Sequence, residues 1–140
     1  MARYMIDTNI LYYMIDEKDR LTKDVSALVF DIENSLYVSA ETVKELVVAH
    51  RHKHLLQHRW KTTDDLVKAV RKNYNLTILP VDINVVHRMA RLQINEAEEH
   101  HDPSDHIIIA HAITMNMPLI SSDRKFPFYR EQGLYLVSNF

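Results

Sequence analysis

Five short apolar runs, rich in β-branched and aromatic residues, alternate along the chain with longer stretches that have helical spacing. We predict a β-strand at each run, that is, at residues 4–6, 36–38, 77–81, 119–120 and 135–137. Strands that alternate with helices form βαβ units, and such units build a parallel sheet with helices on both faces. The sequence therefore predicts an α/β fold with a central parallel sheet of about five short strands.

Three of the intervening stretches carry an apolar pattern that is typical of helices. The patterns consist of Val43, Leu46, Val47 and His50 in the first stretch, Val85, Met89, Leu92 and Ala97 in the second, and residues 107–112 in the third. The chain has one glycine and four prolines, so few residues interrupt these helices. No linker or repeat separates the elements, and we predict a single domain over residues 1–140.

Composition excludes several classes of protein. The chain has no cysteine, so it forms neither disulfides nor thiolate metal sites. No run of 18 apolar residues is present, and Asp7 interrupts the N-terminal apolar stretch, so we expect no membrane segment and a cytoplasmic protein. The net charge of −2 does not suit a broadly basic nucleic-acid binder, and any phosphate-binding surface must therefore be local.

Acidic side chains lie near the ends of several predicted strands. Asp7 ends the first strand, and Asp123 comes shortly after the fourth. Glu45 lies in the helix after the second strand, and Asp105 opens the apolar helix at residues 107–112. Because functional sites in open parallel sheets lie beyond the carboxyl ends of the strands, we expect these carboxylates to meet at one edge.

Most of these carboxylates also have an ordinary structural explanation. Asp7 and Asp102 suit helix N-caps, Asp105 suits the positive first turn of a helix, and Asp123 suits a short turn. Glu45 fits this interpretation least well, because it lies beyond the first turn and beside an apolar face. An unpaired charge there is costly, so Glu45 needs a metal ion or a basic partner.

Four segments carry these acids, and their order and spread over nearly the whole chain resemble one family. The segments are "MIDTNIL", "VSAETVKEL", "HDPSDHIIIAHA" and "LISSDRKF". They resemble the motifs of the PIN-domain ribonucleases, and in particular the toxin subunits of VapBC-type toxin–antitoxin pairs. The resemblance places the family's acids on Asp7, Glu45, Asp105 and Asp123. In the third motif Ser104 replaces a common aromatic residue and His106 a common arginine, but neither departure removes a proposed ligand.

The resemblance implies a PIN-like three-layer sandwich and a metal-dependent endoribonuclease. The four acids are then both catalytic residues and ligands of Mg²⁺ or Mn²⁺, and oxygen ligands favour these ions over Zn²⁺. The same four acids would otherwise repel one another, and a divalent cation removes that conflict. Asp123 is a candidate for helping to bind a second ion. We expect Thr8, Asn9 and Ser122 to orient the acids, although capping explains Thr8 and Asn9 equally well.

A basic segment follows the second motif and contains the candidate contacts to substrate. These candidates are Arg51, Lys53, Arg59 and Lys61. His50, His54 and His58 recur every four residues, and we predict that they line one helix face. The basic neighbours and the missing glutamate of a zinc motif favour a solvated or partner-facing helix over a zinc site.

The implied partners are an RNA substrate, a cognate antitoxin that covers the acidic site, and a second copy of the chain in a homodimer. Three alternatives stand beside this interpretation. A PIN-fold module with weak or lost catalysis would bind a protein or nucleic acid without turnover. DNA would replace RNA as substrate, since phosphate contacts carry no sugar identity. A phosphotransfer enzyme or phosphoreceiver is disfavoured. Asn9 stands where a haloacid-dehalogenase-like phosphatase has its second aspartate, and the acidic pair that a receiver has near its first strand is absent.

Overall fold

The computed structural model describes all residues from 1 to 140 and contains one five-stranded sheet. The strands are β1 (Arg3–Ile6), β2 (Ser35–Ser39), β3 (Leu76–Leu79), β4 (Leu119–Ser121) and β5 (Leu136–Ser138). They lie in the order β3-β2-β1-β4-β5, and every neighbouring pair is parallel. The predicted parallel sheet is confirmed, and each predicted strand overlaps an observed one.

Six α-helices connect and follow these strands. They are α1 (Thr8–Asp16), α2 (Lys23–Val29), α3 (Ala40–Lys53), α4 (Thr63–Asn73), α5 (Ile83–Arg91) and α6 (Pro103–Thr114). Three short 3₁₀ segments lie at Lys18–Arg20, Glu96–Glu98 and Phe126–Gln132. Ser39 caps α3 through its hydroxyl, and Asp102 caps α6 ahead of a proline at the first helical turn. None of the helices has the length and apolar composition needed to cross a membrane.

The central strand β1 packs against both faces of the molecule. Met5 and Ile6 are fully buried, and because successive side chains of a strand point to opposite faces they enter different core clusters. Ile6 joins the cluster formed with α1, α2 and α4, whereas Met5 joins the cluster formed with α6 and the segment at Phe126–Gln132. Sheet faces covered on both sides give the predicted three-layer α/β sandwich.

One helix prediction was wrong in extent. The helix that starts near Val85 ends at Arg91, because the backbone N–H and C=O of Gln93 both bond to the side chain of Gln132. Leu92 is therefore already extended, and Ala97 lies in a separate 3₁₀ turn rather than on the face of α5.

The predicted row of histidines on one helix face was also wrong. Helix α3 ends at Lys53, and His54 takes a left-handed backbone conformation (φ 57°) that terminates it. His50 is buried and its Nε2 bonds the Trp60 carbonyl at 2.7 Å, while His58 contacts Asp16 at the surface. These rings hold different parts of the chain and share no ligand site.

Candidate active site

A cavity of about 440 Å³ opens at the carboxyl edge of the sheet, beside the point where the chain leaves β1. Strand β1 lies between β2 and β4, so the connections after β1 and β4 run to opposite sides and leave a crevice between them. Acidic, basic and apolar groups line the cavity, among them Asp7, Thr8, Asn9, Lys44, Glu45 and Asp105. The topology thus brings segments from residue 7 to residue 105 to one place.

Asp7 lies at the floor of the cavity and is 3% exposed. It caps α1 by accepting a hydrogen bond from the Thr8 N–H at 2.7 Å. Its Oδ2 accepts from the Ser121 hydroxyl at 2.6 Å and from the Asn9 amide at 3.3 Å. Burial nevertheless raises the pKa of Asp7 to about 7. The capping and site interpretations of Asp7 are therefore compatible, because its carboxylate caps α1 and also lines the cavity.

The second acid, Glu45, is held by a residue of α1. The Thr8 hydroxyl donates to Glu45 Oε1 at 2.5 Å, and this bond ties the first turn of α1 to the second turn of α3. Burial raises the pKa of Glu45, and the nearby carboxylates of Asp102 and Glu41 raise it further. The Thr8 hydroxyl therefore contacts Glu45, and its role in orienting an acid of a metal site stays a prediction.

Three carboxylates meet above the floor of the cavity. Oxygen atoms of Glu45, Asp102 and Asp105 lie within 4.8 Å of one another. Burial, followed by the charges of Asp102, Asp123 and Glu45, raises the pKa of Asp105 to about 8. Hard oxygen donors this close suit a divalent cation such as Mg²⁺ or Mn²⁺. Such a cation would also favour the charged forms of Glu45 and Asp105, which burial disfavours.

The sequence places Asp102 among the acids expected near the sheet edge, but it favours a helix cap and does not predict Asp102 as a metal ligand. It does cap α6, through a bond from the Ser104 N–H at 2.9 Å. It also lies three residues before Asp105, and side chains at that spacing share a helix face. That spacing is the signal that could have placed Asp102 beside the site.

A second group of possible ligand atoms lies on the other side of Asp105. His100, Asp105 and Asp123 each place one nitrogen or oxygen within 4.8 Å of the others. Asp123 also closes the turn after β4, where its Oδ1 accepts from the Lys125 N–H at 2.8 Å. His100 is 2% exposed, and sequence reasoning missed it completely.

Asn9 and Ser122 connect the acids to the rest of the fold. The Ser122 N–H donates to Asn9 Oδ1 at 3.2 Å, and Asn9 in turn donates to Asp7. The Ser122 hydroxyl accepts from the amide of Asn139, which is buried at the end of β5. Both residues therefore contact groups that support Asp7 without lining a separate site.

Lys44 supplies positive charge at the rim of the cavity. Its ammonium lies 2.7 Å from Glu41 Oε2, and the Ser104 hydroxyl donates to the same oxygen at 2.7 Å. This contact pairs the buried Glu41, so Glu41 is not a free ligand. It also shows how Ser104, a departure from the toxin motif, is accommodated locally.

The four predicted substrate contacts do not form one surface. Lys53 lines the acidic cavity, whereas Arg51 is exposed on the last turn of α3. Arg59 and Lys61 line a separate groove beside α4, and the Arg59 side chain is already bonded to Asp16 at 2.9 Å. Among the four, only Lys53 lies next to the acids.

A family model described as the PIN domain matches residues 4–131. That range covers nearly the whole chain and includes every acid of the cavity, and the chain therefore belongs to the PIN-domain family.

Solved structures with the same fold include toxin–antitoxin complexes. The chain is similar to VapBC2 from Rickettsia felis bound to a DNA fragment from their promoter, with 22% identity, 97% and 98% of the two chains covered, and a TM-score of 0.69. It is similar to FitAcB from Neisseria gonorrhoeae, with 20% identity, 97% of each chain covered, and a TM-score of 0.69. DNA-bound VapBC from Salmonella typhimurium has 16% identity, full coverage of both chains and a TM-score of 0.68. At these identities the likeness establishes the fold. A comparison with curated proteins finds no match.

Proposed function

We propose that this protein is a metal-dependent endoribonuclease that hydrolyses RNA phosphodiester bonds as the toxin of a toxin–antitoxin pair. The observation that carries the proposal is the meeting of Glu45, Asp102 and Asp105 within 4.8 Å, above the buried Asp7. Four acids from distant segments would destabilise one another without a cation. Membership of the PIN family and the fold shared with VapBC complexes support the same assignment.

In this proposal Asp7, Glu45, Asp105 and Asp123 hold Mg²⁺ or Mn²⁺, directly or through water, and Asp102 joins them. A divalent cation held by these residues would supply the charge that polarises a phosphate and lowers the pKa of a bound water. The chain's own groups orient the acids, because Thr8 fixes Glu45 and Ser121 fixes Asp7.

Lys53 supplies local positive charge that a chain of net charge −2 needs in order to bind RNA, and Lys44, whose charge is paired with Glu41, has further N–H donors for a phosphate. Both line the same cavity as the acids, so the phosphate they attract would lie beside the cation site. Tyr12 lines the cavity as well and offers a ring for contact with a base. From the family resemblance we expect products with a 5′-phosphate and a 3′-hydroxyl.

The proposed protein partner is an antitoxin that covers the cavity. One side of the cavity is apolar and is formed by Leu46, Val48, Ala49 and Leu55. Val48 is 46% exposed, so its apolar side chain is accessible for contact with a partner. Toxin–antitoxin complexes are among the similar structures. From the family resemblance we further propose that the chain forms a homodimer.

Cleavage of total bacterial RNA by the purified protein, followed by sequencing of the new 5′ ends, tests the proposed activity. We expect cleavage with Mn²⁺ or Mg²⁺, none with EDTA, and none by Asp105→Asn. Asp64→Asn is the matched control, since Asp64 is an exposed helix residue that contacts only Lys68 in its ion pair. Equal cleavage by both variants would exclude these acids as the source of activity.

Titration of Mn²⁺ into the metal-free protein separates the enzyme from a module without turnover. We expect Asp7→Asn and Asp105→Asn to weaken binding strongly, because both acids face one cavity. Metal binding without cleavage of any RNA would favour the binding module. Binding that neither substitution changes would show that the acids form no shared site.

A further inference from the structure

The imidazole of His100 lies in a fully packed pocket behind Asp105. Its ring centroid is 5.6 Å from that of Phe126 and 5.5 Å from that of Tyr129, and the side chain is 2% exposed. Its backbone is held as well, since the His106 Nε2 bonds the His100 carbonyl at 2.8 Å. Ring and backbone are therefore both fixed, and His100 has no freedom to turn toward solvent.

Both ring nitrogens of His100 are hydrogen-bonded. Nε2 lies 2.9 Å from Asp105 Oδ2, and Nδ1 lies 2.9 Å from the Tyr129 hydroxyl. Tyr129 is fully buried, and its oxygen accepts the Asn95 N–H at 3.1 Å. The one partner left for the tyrosine proton is His100 Nδ1, because a phenol carries a single donor.

This chain of bonds fixes where the imidazole proton lies. Since Nδ1 accepts from Tyr129, the neutral ring carries its proton on Nε2 and donates it to Asp105. The distances alone would also allow Nε2 to be a metal ligand beside Asp105 and Asp123. A protonated nitrogen cannot ligate a metal, so the network favours the role of donor.

We propose that His100 is a positioning residue that fixes the Asp105 carboxylate for cation binding, with Tyr129 holding the required tautomer. The Nε2–H bond occupies Oδ2 and sets the side-chain rotamer, while Oδ1 receives no hydrogen bond from the protein and is left for the cation. A hydrogen bond of this kind commonly orients a carboxylate that ligates a metal ion. The inference rests on the proposed metal-dependent function.

Mn²⁺ affinity of full-length variants, measured by calorimetry, tests this role. We expect His100→Leu to weaken binding about 10- to 100-fold, the usual effect of losing a group that supports a ligand. His100→Gln keeps an N–H at the position of Nε2 and should recover most of the affinity. His101→Leu is the control, because His101 is exposed and contacts Glu96 outside the cavity.

The outcomes separate the two proposals. Wild-type affinity in His100→Leu, with Asp105→Asn impaired, would refute the role of His100 and leave the metal site intact. Equal weakening in His100→Gln and His100→Leu would also refute it, since a ligand role predicts no rescue. No binding by the wild type would overturn the proposed function itself.

NMR of the wild-type protein tests the proposed tautomer of His100 without relying on a variant that must fold. Imidazole ¹⁵N NMR of the Mg²⁺-saturated protein should show His100 protonated at Nε2 and unprotonated at Nδ1. A proton on Nδ1, or the loss of the Nε2 proton when Mg²⁺ binds, would overturn the proposal.

Discussion

Replacing Asp105 by asparagine is expected to stabilise the metal-free protein at high pH, although it removes the proposed function. Asp105 is 17% exposed and lies near the carboxylates of Glu45, Asp102 and Asp123. Its only hydrogen bond is the one from His100 to Oδ2. An asparagine can keep that bond with its carbonyl oxygen and turn its amide toward the remaining carboxylates. The substitution therefore replaces the repulsion between carboxylates with hydrogen bonds donated by the amide.

The pKa of Asp105 gives the size and the pH window of the effect. Its value rises from 3.8 to about 8 on folding, chiefly because burial disfavours the charge. At about 1.4 kcal/mol for each pKa unit, ionisation costs the folded state up to roughly 6 kcal/mol at high pH. We expect a gain of about 3 kcal/mol, because the asparagine amide is itself desolvated.

The sign follows from proton binding. Between about pH 4 and pH 8 the folded wild type holds a proton that the unfolded chain has released, so the stability from this group falls as the pH rises. Asparagine does not titrate, and the advantage of the variant therefore grows from pH 4 and levels off above pH 8.

Urea unfolding in EDTA at pH 5, 7 and 9, followed by the fluorescence of the single tryptophan, Trp60, measures this difference. Asp64→Asn serves again as the exposed control, and we expect a change below about 0.5 kcal/mol. A pH-independent difference, or a variant less stable than the wild type at pH 9, would refute the reasoning. Saturating Mn²⁺ should reverse the order, since the cation stabilises only the intact site.

Three further predictions concern groups around the cavity. Lys44→Met should lower the free energy of unfolding by about 1–2 kcal/mol at pH 7 in urea titrations, because it leaves the buried Glu41 without its cation; an unchanged value would mean that the pair contributes nothing. Ser121→Ala removes the donor to Asp7 Oδ2 and should raise the pKa of Asp7 above 7. We expect the free energy of unfolding to fall by about 1–3 kcal/mol at pH 8 and by less at pH 5, and equal losses at both pH values would contradict this account. Mn²⁺ at about 100 times its Kd should add about 2.7 kcal/mol at pH 8 and much less at pH 5.5, where Asp7 and Asp105 are protonated, as thermal unfolding at both pH values will show.

The strands were predictable because each is a short apolar run bounded by polar residues. Asp7 was also predictable, since a carboxylate that directly follows a buried strand lies at the sheet edge wherever the neighbouring strands are parallel. The extent of α5 was not, because it depends on Gln132, which is brought to Gln93 only by the tertiary fold. Periodicity describes one helix face and carries no information about a distant side chain that ends the helix.

The position of His100 shows the same limit at the candidate site. In sequence His100 stands beside His101 and just before the helix that Asp102 caps, and nothing distinguishes the two histidines. The contacts that separate them come from Tyr129, which lies 29 residues further along the chain. Asp102 was visible as a cap, but its closeness to Glu45 depends on how α3 and α6 pack, which the pattern of either helix does not specify.

The strand order of the sheet also determines when the acidic site can be completed during translation. Asp7 depends on the Ser121 hydroxyl, 114 residues downstream, and β1 cannot acquire its β4 neighbour until that stretch has been translated. At roughly 5–20 residues per second, this separation amounts to a delay of about 6–23 s. During most of that interval Asp7 lacks the Ser121 hydroxyl that donates to it and the neighbouring carboxylates of Asp105 and Asp123. The acidic cavity therefore stays incomplete until Ser121 has been translated.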